Sequence, residues 1–94
     1  MGNIASYLGF AVKSGKIVYG LDNIEKSRKR KYLLVLCVTA SENLSDSAEK
    51  YAAKNGIPLL RTEIPLEDII YKRNCKLIAL LDPNMAKAVK DNGR

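Results

Sequence analysis

Two nearly uninterrupted apolar runs constrain this chain more than any other feature. Leu33-Leu34-Val35-Leu36-Cys37-Val38 contains no polar position at all. A strand with one wet face alternates apolar and polar residues, so a run without alternation needs cover on both faces. Cys75 to Leu81 is the second such run, broken only by Lys76. Strands buried on both sides belong inside a sheet with helices above and below it.

The remaining segments supply those helices. Ile4, Tyr7, Leu8, Ala11 and Val12 form the stripe of an amphipathic helix that Ser14-Gly15 ends. Ile17-Val18-Tyr19 is long enough only for an edge strand. A second helix is expected from about Leu21 to Arg30, with a small apolar face at Leu21 and Ile24. Ser41 or Asn43 is the expected N-cap of a third helix carrying Leu44, Ala48, Tyr51 and Ala52, closed by Asn55-Gly56 and Pro58. Ile57 to Leu60 reads as a short strand, and Leu66, Ile69 and Ile70 as a short helix starting near Pro65. Asp82-Pro83 caps a last helix with Met85, Ala86 and Val89. Helices alternating with strands predict an α/β class, a three-layer α/β/α sandwich with a small mixed sheet. At 94 residues, residues 1–94 are one domain, without repeat, linker or low-complexity tract.

Composition narrows the chemistry. His is absent, which removes the commonest general base and metal ligand together. Cys37 and Cys75 sit in apolar runs and are expected as reduced core thiols of a cytoplasmic protein; a disulfide between neighbouring strands is the alternative. Gly9 to Lys16 misses the P-loop pattern, because five residues separate its glycines and Ile17 follows the lysine. Glu63, Glu67 and Asp68 read as a solvated helix start. No catalytic residue, cofactor or metal is expected. No apolar stretch approaches the ~20 residues of a membrane span, and no signal peptide is read. Met1 to Ser6 and Asn43-Leu44-Ser45 match lipidation and glycosylation patterns by chance.

Sixteen Lys and Arg against ten Asp and Glu leave a net charge of +6, which favours polyanionic partners. With one Phe and no Trp, a stacked aromatic platform for single strands is not expected. Gly20 and Asp22 set the start of the second helix at a sheet edge, where backbone N–H groups face outward. Asp22, Asn23 and Lys26 are placed there to read nucleotide edges and backbone. Lys16 precedes the first strand, and Lys72 and Arg73 precede the last, so these cations join the site if both strands feed the same edge. The run Arg28 to Lys31 is expected at the far end of the helix, as a flanking phosphate contact or a solvated face.

The order Leu8-Gly9-Phe10-Ala11, Gly15-Lys16, Gly20-x-x-x-Ile24-x-Lys26, Leu33–Val38, Ala40-Ser41 and Asn55-Gly56-Ile57-Pro58 resembles the L-seven-Ae ribosomal protein family, in its small bacterial branch. The resemblance runs from about Ile4 to Val89. It implies the ribosomal L-thirty-e-like fold and a ribosome-associated, non-catalytic protein that binds kink-turn RNA, a sharply bent helix with tandem sheared G·A pairs. Gly20 then begins the signature that meets the G·A pairs. Asp22 and Asn23 take the base-contacting positions, Lys26 contacts phosphate, and Lys72 to Asn74 pack on the flipped-out base. Leu66-Glu67-Asp68-Ile69-Ile70-Tyr71-Lys72 stands where relatives carry Leu-Gly-x-x-x-Gly-Lys. The alternative implied by that departure is a protein-interaction adaptor on the same fold, with Tyr71 beside Ile69 or Ile70 at its interface.

Overall fold

The computed structural model describes residues 4–63, 65, 66, 70 and 75–92, the side chains of 4, 5 and 92 excepted. The described elements are α1 (Ile4–Ser14), β1 (Ile17–Tyr19), α2 (Leu21–Lys26), β2 (Leu33–Leu36), α3 (Glu42–Asn55), β3 (Leu59–Arg61), β4 (Leu77–Leu80) and α4 (Pro83–Asn92). The four strands form one mixed sheet in the order β1-β4-β2-β3. β4 runs antiparallel to both β1 and β2, and β2 runs parallel to β3. The two long apolar runs therefore supply the interior strands β2 and β4, whose strand residues are all buried, and the fold is an α/β sandwich.

Alternation within those runs sorts the core into two layers. Leu33, Val35, Cys37, Ile78 and Leu80 face one way, against Leu8, Ala11, Ala86 and Val89 of α1 and α4. Leu34, Leu36, Leu77 and Ala79 face the other way, against Ile24 of α2 and Ala48 and Ala52 of α3. A period of two presented to helices on both faces requires apolar residues at every position. Leu66 and Ile70 are buried in the first layer and both helical in backbone. Ile69, Glu67, Asp68 and Tyr71 lie outside the described residues.

Four local expectations change, the smallest being that β3 spans Leu59–Arg61 rather than Ile57 to Leu60. α2 ends at Lys26, not Arg30. Beyond Ile24 the segment up to Lys31 has no apolar residue to hold further turns on the core, and isolated helical turns do not sustain themselves. Ser27 breaks the helix in extended backbone while its N–H closes the last turn on Asn23 C=O. β2 and β4 are shorter than their apolar runs: Cys37 is buried beyond the strand, and Val38 turns outward at 43% exposure. Val12 leaves the buried stripe of α1 at 37% exposure, while Leu8 and Ala11 stay buried in the layer that holds Ala86 and Val89 of α4.

The helix ends follow local chemistry. Ser41 Oγ accepts from Leu44 N–H at 3.2 Å, and Gly56 closes α3 in the left-handed region, φ 65°. Asp82 Oδ1 accepts from Asn84 and Met85 N–H at 2.8 and 3.2 Å, opening α4 with Pro83 in its first turn. Ser41→Ala is expected to cost about 1 kcal/mol, read as a lower urea midpoint at unchanged slope.

Candidate nucleic-acid interface

The strand directions decide which polar residues share an edge. β1 ends at Tyr19, and Gly20 N–H donates to Leu77 C=O at 2.8 Å, so the start of α2 sits beside the start of β4. β2 ends at the same edge, where Cys37 N–H donates to Lys76 C=O at 2.7 Å and Thr62 N–H to Leu36 C=O at 2.9 Å. This edge carries Gly20, Asp22, Asn23, Thr39, Thr62 and Lys76. The opposite edge carries the start of β1 and the end of β4, joined by Leu81 N–H to Lys16 C=O at 2.9 Å.

Lys16 therefore does not converge with Gly20. Lys16 and the segment before β4 enter antiparallel strands, and strands paired that way begin at opposite edges. Four residue steps along β1 separate Lys16 from Gly20, roughly 13 Å at ~3.3 Å per residue. Lys72 and Arg73 lie outside the described residues. Lys76, grouped with them by charge, is described at the Gly20 edge, where its Nζ donates to Thr39 Oγ1 at 2.8 Å.

The turn into α2 depends on glycine. Gly20 has φ 82° and ψ 147°, a region that side-chain-bearing residues rarely enter. That turn swings the chain from β1 into the helix, and Ile24 N–H returns to Gly20 C=O at 3.0 Å. Gly20 offers no side-chain cap, so the first-turn N–H groups have no partner of that kind. Six residues make only a small dipole, so the polar character of this end lies in its side chains. Asp22 and Asn23 are both exposed. Asn23 Nδ2 donates back to Tyr19 C=O at 2.9 Å, which orients the amide over the turn. Lys26 follows Asp22 by four residues, one turn along the same face.

Cys37 closes the underside of this edge. Burial alone pushes its thiol up, but hydrogen bonding to Thr39 Oγ1, the N–H groups of Leu66 and Thr39, and the nearby Lys76 ammonium reverse that, and its pKa falls below the usual range. Sγ lies 3.0 Å from Thr39 Oγ1 and 3.2 Å from Leu66 N. At 0% exposure the sulfur is closed to solvent, whereas reactive thiols are partly open; it ties two segments to the end of β2. Cys37 and Cys75 are both buried and free. Tyr19 is raised by burial first and by Cys75 second. Among the described residues no cluster of three or more His, Cys, Asp or Glu has metal-binding geometry. No helix among them is long and apolar enough to cross a membrane.

The residues that sequence reasoning missed are those whose neighbours come from afar in the chain. Thr62 Oγ1 accepts from Val38 N–H at 3.1 Å and pins the end of β2 to β3. Thr39 joins Cys37 to Lys76. Neither has a motif around it; only strand order brings them together.

The chain is similar in fold to a solved structure described as a protein with unknown function from Bacillus halodurans. That match has a TM-score of 0.86 at 17% identity and covers 97% of this chain and 96% of that one. No family model matches the chain, and no curated protein matches it.

Proposed function

We propose that this chain is a non-catalytic, ribosome-associated RNA-binding protein of the cytoplasm, whose reader is the turn at Gly20 and the exposed face of α2. The observation that carries the reading is the Gly20 turn, which sets exposed Asp22 and Asn23 at a sheet edge beside Lys76. The net charge of +6 supports a polyanionic partner. The resemblance of the motifs points to kink-turn RNA: Asp22 and Asn23 meet the G·A pairs and Lys26 a phosphate.

The test is a titration of a kink-turn RNA against a variant lacking its G·A pairs, at two salt concentrations. Selective binding that weakens with salt upholds the reading; equal, weak binding to both RNAs rejects the kink-turn specificity. Lys26→Ala is expected to weaken binding to every RNA tested and to flatten the log-salt slope by about one charge. An unchanged slope in that variant would remove Lys26 from the site.

A protein-interaction adaptor is the second reading. Phe10, 63% exposed on α1, is the side chain through which such a partner is tested. A protein partner that co-purifies after nuclease treatment, and is lost in Phe10→Ser, would establish it.

A further inference from the structure

The early end of α2 creates a surface that an α2 running to Arg30 would not have. Arg28 to Lys31 leave the helix as a loop and cross to the edge where β2 begins, with Tyr32 N–H donating to Leu80 C=O at 2.8 Å. Between this loop and the C-terminal half of α3 lie two adjoining open cavities. One, of about 400 Å³, is lined by Lys29 to Tyr32, Tyr51 and Asn55 to Pro58. The other, of about 620 Å³, shares Lys31, Tyr51 and Asn55 and adds Glu25, Lys50 and Lys54.

Five cations, Lys29, Arg30, Lys31, Lys50 and Lys54, face one carboxylate, Glu25, across this groove. The charge is sorted by helix geometry. Glu42, Asp46 and Glu49, at i, i+4 and i+7, line a separate cavity with Arg61. Ser47, Lys50 and Lys54 fall on the groove side of the same helix. Two tyrosines order the cations: the Arg30 guanidinium lies 5.3 Å from the Tyr32 ring centre, and Lys31 Nζ 6.0 Å from that of Tyr51. Tyr51 Oη in turn donates to Ile24 C=O at 3.5 Å. Lys31 Nζ also donates to Ser27 C=O, so Lys31 is committed to closing α2. Lys29, Arg30, Lys50 and Lys54 remain exposed.

We infer that this groove is a second contact for the sugar–phosphate backbone of RNA, on the sheet edge opposite the Gly20 turn. Ordered cations beside aromatic rings, in a groove with one carboxylate, complement a line of phosphates and read no sequence. The two edges are separated by the length of β2, roughly 13 Å at ~3.3 Å per residue, and α2 runs from one toward the other. An A-form flank of a bent RNA laid along α2 reaches both. The inference rests on the RNA-binding reading for its class of partner, but on none of its residues.

The experiment titrates wild type, Lys26→Ala, Lys50→Ala/Lys54→Ala and Lys50→Arg/Lys54→Arg with two RNAs. One is a kink-turn with a long helical flank, the other a plain duplex of equal length. Between about 50 and about 200 mM salt, wild type is expected to lose roughly ten-fold more affinity than the Lys50→Ala/Lys54→Ala variant on both RNAs. The arginine variant is expected to follow wild type, showing that charge and not the fold of α3 is read. An alanine variant with wild-type affinity and slope overturns the groove, even where Lys26→Ala weakens binding and upholds the α2 reader. A silent Lys26→Ala with a flattened alanine pair upholds the groove and overturns the reader. Poly-glutamate is titrated alongside as an acidic-protein probe, and its loss in the alanine pair with RNA binding intact also overturns the groove and assigns the surface to an acidic protein.

Discussion

Ile24→Ala is expected to lower the stability of the folded chain by about 2–5 kcal/mol. Ile24 is the buried residue of α2, at 0% exposure, and packs in the layer formed by Leu34, Leu36, Leu77 and Ala79. A helix of six residues has no independent stability in water, so its docking depends on this side chain and on half-buried Leu21. Truncation therefore removes more than methyl groups: it frees the element that holds Asp22, Asn23 and Lys26. Urea unfolding of the variant should show a large fall in midpoint. Ile24→Val, which keeps the branched shape, is expected to cost only about 0.5–1.5 kcal/mol. A midpoint within error of wild type for the alanine variant would mean that α2 is held by something other than this contact.

Gly20→Ala is expected to cost about 1–3 kcal/mol and, under the proposed function, to weaken RNA binding together with stability. The cause is backbone strain rather than crowding: a Cβ built on Gly20 meets no heavy atom within 4 Å. Relief by rotating φ out of 82° would break two bonds at once, Gly20 N–H to Leu77 C=O and Ile24 N–H to Gly20 C=O. The alanine variant must therefore hold the strain or move the first turn of α2 away from β4. Titration of kink-turn RNA alongside urea unfolding distinguishes the two. Lost stability at unchanged affinity means that the strain is held; lost affinity beyond the unfolded fraction means that the turn has moved. A variant as stable as wild type would refute the strain argument.

Much of the fold was legible because burial leaves a direct mark on sequence. A strand covered on both faces must be apolar at each step, and Leu33 to Leu36 and Leu77 to Leu80 could be read without knowing their neighbours. Helix ends are equally local: Ser41, Gly56 and Asp82 act on backbone groups within a few residues. The end of α2 was misjudged because charged residues are compatible with a helix and with a loop alike. What separates the two is whether a core lies underneath, and after Ile24 none does. The candidate site was partly legible for the same reason, since Gly20, Asp22, Asn23 and Lys26 lie within one turn and its cap.

By itself, then, the sequence determined the α/β class, the two interior strands, most helix ends and the excess of positive charge. These rest on periodicity, capping and composition, each complete within a short window of chain. The tertiary structure decided strand direction, and with it which cations share an edge. Because β4 runs antiparallel to β1, Lys76 and Thr39 arrive beside Gly20, whereas Lys16 stays at the other end of β1. It also decided that Arg28 to Lys31 leave α2 and that Lys29 to Lys31 line a groove with Lys50 and Lys54. Contacts between residues far apart in the chain depend on how layers pack, and packing is a property of the whole core that no local pattern carries.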